Sequence, residues 1–161
     1  KFKIFIGIGC DRHAFLPEQI ICRENQAGTH AHVINIGLCQ LERFDVIVKS
    51  YTPGTCFGAA CLVGADRTYP GSLRAVQTCH IMSISRLAYL EALQVYPSPA
   101  ASKALLKSET SSIKELRANI DRAAIKRLIY RRYQEQLIRT PWGPAQTDDS
   151  AEGNSAKLEL F

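Results

Sequence analysis

The sequence predicts an α+β chain in which an antiparallel, β-rich first half is followed by C-terminal helices. Three observations carry this. Between Gln19 and Ile84, short apolar runs recur every few residues and are broken by turn-forming clusters, which is the pattern of a roll, sandwich or barrel. After Ile84 the apolar spacing changes to three or four residues, the helical period. With 161 residues, 46% of them apolar, the chain suits one domain with extensions and can bury a core.

The elements follow in order. Gln19–Arg23 is a strand ended by the turn-like Glu24–Gly28. Thr29–Ile36 is a second strand, stopped by Gly37, and Leu38–Glu42 alternates as a third. A charged turn at Glu42–Asp45 leads to Val46–Val48. Thr52-Pro53-Gly54-Thr55 is a turn with proline at its second position. Strands return at Ser72–Thr78 and His80–Ile84. Ser85 is placed to cap a helix whose face is Leu87, Leu90 and Leu93, and Tyr96-Pro97 ends it. Ser98-Pro99 opens another helix through Leu106, with proline at the first helical position. Ser108–Ser112 interrupts it, and the capping box Ser112-Ile113-Lys114-Glu115 starts a long helix. Leu116, Ile120, Ala123, Leu128 and Leu137 mark its apolar side.

The resulting division is an N-terminal segment at 1–16, read as an incomplete helix, a β-roll with its following helix at 17–97, lid or partner helices at 98–139, and a flexible tail at 140–161. No apolar run approaches the ~18 residues of a membrane span, and Lys1–Ile6 runs into Gly7–Asp11 without a cleavage pattern, so no signal peptide is expected. The net charge is +5, with most of the excess between Lys114 and Arg139. This reads as a solvated or partner-facing helix, and nucleic acid is not expected. None of the six cysteines forms a CxxC pair. Cys22, Cys39, Cys61 and Cys79 lie in apolar runs and read as buried free thiols of a reducing, cytoplasmic setting. His30 and His32 could share one strand face, but no third ligand is evident, so no metal is expected. No catalytic constellation rises above background, so no enzyme is expected.

The informative stretch runs from Leu16 to Pro97. Leu16-Pro17-Glu18-Gln19-Ile20-Ile21-Cys22-Arg23-Glu24, then Gly28, Gly37 and Tyr51-Thr52-Pro53-Gly54-Thr55-Cys56-Phe57-Gly58 resemble the cyclic-nucleotide-binding domain. The likeness is greatest to the versions in cyclic-nucleotide-gated, hyperpolarisation-activated and ether-à-go-go-type channels. Ser72-Leu73-Arg74-Ala75, Cys79 and Ile84-Ser85 match later strands of those domains, and Tyr96-Pro97 ends the next helix as it does in them. The resemblance implies an antiparallel β-roll of the double-stranded β-helix (jelly-roll) type.

It also implies a phosphate-binding cassette over Phe57, Gly58, Ala59, Ala60 and Cys61, then Arg67, Thr68, Ser72 and Leu73. A cyclic phosphate needs converging N–H groups, a small residue for close approach, and a cation. Phe57-Gly58 fits. Two positions depart from the pattern. The family's ribose-binding Glu is Ala59 here, and its phosphate-pairing Arg falls at Tyr69 when aligned back from Ser72-Leu73. Aligned forward from Phe57-Gly58, Arg67-Thr68 comes within about a residue of that arginine and makes Arg67 the candidate anion partner.

The expectation is therefore a regulatory sensor domain of a membrane channel or exchanger, with weak or absent cAMP or cGMP binding and no resident cofactor. In it, Ile113–Ile138 acts as lid and Pro97–Ser112 as hinge. Tyr133, Trp142 or Leu158–Phe161 could fill the pocket from within the chain. The alternative is a ligand-independent scaffold that meets a partner subunit through the basic helix.

Overall fold

A computed structural model describes residues 1–139, apart from the side chains of Lys3, Leu137 and Arg139. The flexible-tail expectation at 140–161, with Trp142 and Leu158–Phe161, falls outside the described residues. The element order is α1 (Phe2–Ile8), β1 (Asp11–Phe15), β2 (Ile20–Cys22), β3 (His30–Ile36), β4 (Cys39–Arg43), β5 (Val46–Tyr51), β6 (Cys56–Phe57), α2 (Ala59–Leu62), β7 (Ser72–Ala75), β8 (Cys79–Ser85), α3 (Arg86–Val95) and α4 (Pro99–Arg139).

The strands form two antiparallel four-stranded sheets in the orders β1-β8-β3-β6 and β2-β7-β4-β5. Apart from the β4–β5 hairpin, each strand crosses to the opposite sheet from its predecessor. The chain therefore winds as a roll, as expected. The inner faces meet through Ile34, Leu41, Leu73 and Ile81, all essentially buried. Ile34 pairs with Ile81 in the first sheet and Leu41 with Leu73 in the second, so each sheet presents an opposed apolar pair to the other. All six cysteines are free, and Cys22, Cys39, Cys61 and Cys79 are buried. Two thiols of that core touch, Cys39 Sγ lying 3.5 Å from Cys79 Sγ.

The turns obey their local chemistry. Thr55 N–H donates to the Thr52 carbonyl at 3.0 Å, and Gly54 holds φ +85° after Pro53, as a type II turn requires. The β4–β5 hairpin turns through Phe44 and Asp45, both at positive φ (54° and 57°), the mirror-type turn that matches strand twist.

Several sequence expectations are corrected. The segment before Leu16 is not an incomplete helix throughout: α1 ends at Ile8, and Asp11–Phe15 is an edge strand paired with β8. Its residues are almost all exposed, so no apolar alternation announced it. The strand expected at Ser72–Thr78 ends at Ala75, and that expected at Val46–Val48 runs on to Tyr51. Ser85 does cap α3, accepting from Ala88 N–H at 3.1 Å. However, Leu87 and Leu90 are exposed, and the buried face is Tyr89 and Ala92.

The break at Ser108–Ser112 is absent, and with it the capping box; of the segment expected as hinge, Pro97–Ser112, only Pro97 and Ser98 lie outside the helix. One helix runs unbroken from Pro99 to Arg139. The hydroxyls of Thr110 and Ser111 turn back onto the carbonyls of Leu106 and Lys107, at 2.7 and 3.2 Å. They are thereby satisfied inside the helix instead of ending it. Packing decides the contest, because Ile113, Leu116 and Ile120 sit against the core directly after this polar run. Ala123 is buried farther along, while Leu128 is 61% exposed and does not continue the buried side. No described helix is long and apolar enough to cross a membrane.

Candidate functional site

The stretch from Tyr51 to Leu73 leaves the second sheet, pairs briefly with β3 as β6, turns at Gly58 and returns as β7. Gly58 is required twice over. Its φ is +84°, and a Cβ there would lie 2.8 Å from the His30 carbonyl and 3.1 Å from the Tyr69 ring. Any side chain would have to push β3 and Tyr69 apart.

Tyr69 is the centre of the arrangement. It is 2% exposed. Its ring stacks on Phe57 with centroids 5.6 Å apart. Its hydroxyl donates to the His30 carbonyl at 2.8 Å and accepts from His30 N–H at 3.2 Å. Burial pushes its pKa up to about 12, so it stays a neutral phenol. Behind it His32, also buried, has its ring Nδ1 3.0 Å from the Ser83 hydroxyl. Desolvation, with His30 and His13 adding to it, lowers the His32 pKa to about 4.

α4 lies across the loop. Between them is a cavity of about 110 Å³ with Tyr51, Phe57, Gly58, Ala60 and Cys61 on the roll side and Glu109, Ser112, Ile113 and Leu116 on the helix side. Lys49 also borders it, its ammonium 5.2 Å from the Tyr51 ring centroid. Burial raises the Glu109 carboxyl, with Lys49 pulling in the opposite direction. Two ion pairs latch the helix to the roll: Arg117 with Asp66 of the loop at 2.9 Å, and Arg127 with Asp45 of the β4–β5 turn at 2.6 Å.

The loop thus brings together four of the expected site residues, Phe57, Gly58, Ala60 and Cys61, and separates the rest. Ala59 begins α2 and does not line the cavity. Arg67 and Thr68 are exposed and do not line it either. Arg67 acts through its backbone, its carbonyl accepting from Gly28 N–H at 2.9 Å and its N–H donating to Asp66 at 2.8 Å. Ser72 accepts from Glu24 N–H at 3.1 Å, and Leu73 is core. Tyr133 is 58% exposed and fills no pocket. Sequence reasoning missed Lys49 and Glu109, which carry no motif and reach the site only through the fold, whereas Leu116 was expected on the apolar side of the lid helix. Tyr69 had been met only as a misfit at the arginine position.

The sequence matches the family described as cyclic nucleotide-binding domain over residues 12–96, more than half the chain. The chain belongs to that family. No curated protein matches it. Solved structures share the fold at low identity. The chain resembles a cyclic nucleotide-binding-like protein of Brucella abortus at 23% identity (TM-score 0.53, covering 58% of this chain and 83% of that one). It also resembles the c-di-GMP-responsive regulator CLP of Xanthomonas campestris at 16% identity (TM-score 0.58, 78% and 62%). A third likeness is to the regulatory domain of Toxoplasma gondii PKA crystallised with cAMP, at 16% identity (TM-score 0.57, 69% and 42%). The chain spans less than two thirds of the last two. These neighbours are bacterial cyclic-nucleotide-type proteins and a kinase regulatory domain, so the expected likeness to channel domains is replaced by the wider family.

Proposed function

We propose that this cyclic nucleotide-binding domain is a non-catalytic regulatory module whose cassette binds cAMP or cGMP weakly or not at all while α4 is seated. The observation that carries this is the space itself. The cavity between cassette and α4 measures about 110 Å³, against the roughly 300 Å³ at which small-molecule sites begin. Ile113 and Leu116 of α4 would have to withdraw for a nucleotide to enter. A ligand can shift α4 only by its preference for the withdrawn position.

The cassette chemistry points the same way. Tyr69 supplies a neutral ring where the family pattern has a cation, and Ala59 supplies no ribose acceptor. A missing charge-assisted bond is worth ~1.5–3 kcal/mol, so the two losses together amount to a few powers of ten in affinity. Lys49 is the cation on the cavity wall, and Arg67, outside it, is the second candidate for meeting a phosphate after rearrangement. Among the remaining expected contacts, Thr68, Ser72 and Leu73 support the loop. A channel or exchanger as the attached protein rests on the motif likeness of the sequence alone.

The same observations favour a second reading, in which the roll is a ligand-independent scaffold and Tyr69 and α4 are permanent filling. Titration with cAMP and with cGMP, followed by NMR of α4 amides, separates the two. Saturable shifts around Glu109–Leu116, lost in Lys49→Ala or Arg67→Ala, support the sensor. No shift at millimolar nucleotide supports the ligand-independent scaffold in place of the sensor.

A further inference from the structure

We propose that the elbow between α3 and α4 is a second small-molecule site, distinct from the cassette, that takes one uncharged, largely apolar ligand. A cavity of about 570 Å³ lies there, walled by Phe2 of α1, Tyr89 and Leu93 of α3, Tyr96 at the elbow, and Ala101 and Leu105 of α4. That volume falls within the ~300–1,000 Å³ of known small-molecule sites. It exceeds the cassette cavity about fivefold.

The lining selects the ligand. Every side chain on the wall is uncharged, and the polar groups that reach it belong to Ser98, Ser102 and the two tyrosines. The complement to such a wall carries no charge, since a phosphate or carboxylate buried there would lose its water without gaining a cation. Aromatic and aliphatic walls with one hydroxyl-bearing rim fit an aromatic or medium-chain aliphatic molecule with a single polar end. Val95 and Leu105, both lining residues, are 56% and 38% exposed overall and leave apolar surface in water.

The site also has leverage. Tyr96, Pro97 and Ser98 form the elbow itself, and Ala101 to Leu105 lie on the first turns of the helix whose later residues close the cassette. An occupant that favours one elbow angle biases where α4 sits.

The test uses the full chain and the neutral dye N-phenyl-1-naphthylamine, whose emission rises in apolar surroundings. The expected result is a saturable rise at sub-millimolar dye whose midpoint excess cAMP shifts at most to a limit, through α4, without displacing the dye. Ser102→Trp, which fills the cavity, and Leu105→Glu, which places a charge on its half-exposed rim, each weaken the dye at least tenfold. Leu128→Gln, on exposed α4 surface away from the cavity, binds as the parent does. Circular dichroism confirms that each variant keeps its helices. A rise that does not saturate overturns the proposal, as does equal binding by both elbow variants. Competition by cAMP, or a response that depends on protein concentration and so marks a second copy in the groove, also overturns it.

Discussion

His32 shows how one buried side chain makes the stability of the roll depend on pH. Its folded-state pKa is held near 4, against 6.5 for the free group. The unfolded chain therefore takes up the proton first. The stability this represents is fully present above about pH 6.5 and is lost as pH falls toward about 4, amounting to about 3 kcal/mol. Urea denaturation at pH 7.5 and pH 4.5 should show that loss, and His32→Gln should flatten it. Tyr69 and Gly58 act at the same scale. Tyr69→Phe deletes the hydroxyl that satisfies both backbone groups of His30 and should cost about 1–3 kcal/mol in the same assay. Gly58→Ala meets both an unfavourable φ and a carbonyl at 2.8 Å. It should cost at least about 2 kcal/mol.

At the scale of the element, α4 is held by its apolar contacts more than by its ion pairs. Leu116 is 8% exposed and touches the core cluster, whereas the Arg117 partner of Asp66 is 61% exposed. Leu116→Ala should destabilise by about 2–4 kcal/mol. Arg117→Ala should change stability by no more than about 1 kcal/mol. Hydrogen exchange should separate the two effects. Leu116→Ala speeds exchange along Glu109–Ile120, and Arg117→Ala leaves it nearly as it was. The opposite ranking would mean that charge, not packing, seats the helix.

Across the whole molecule, α4 is longer than the body it crosses. Its 41 residues span about 60 Å at 1.5 Å per residue. Among the described residues, the last ion pair to the roll is that of Arg127. Beyond it Leu128, Ile129, Tyr130, Tyr133 and Ile138 are exposed. A short helix without tertiary cover is marginal in water. Replacing Leu128, Ile129 and Tyr130 together by Gln should therefore leave the melting temperature within a few degrees. A large loss would show that these side chains support the roll.

The strands were legible where one face is buried, because β4, β7 and β8 alternate and β3 stops at Gly37. β1 was not, since an exposed edge strand carries no apolar signal. The capping residue Ser85 and the first-turn Pro99 were readable from purely local chemistry. The Ser108–Ser112 run misled for the same reason. Its hydroxyls satisfy a cap or a helix interior equally well, and only contacts of Ile113 and Leu116 with a distant core choose between them. Of the site, Phe57 and Gly58 could be read because a tight turn needs particular residues in series. By itself the sequence determined the roll, its turns and its family, since these rest on neighbours along the chain. Only the tertiary structure decided that Tyr69 packs on Phe57 and binds the His30 backbone, that Arg67 lies outside the cavity and that Glu109 and Leu116 line it. Those facts depend on which surfaces meet once both sheets and α4 are packed, and residue order does not encode such distances locally.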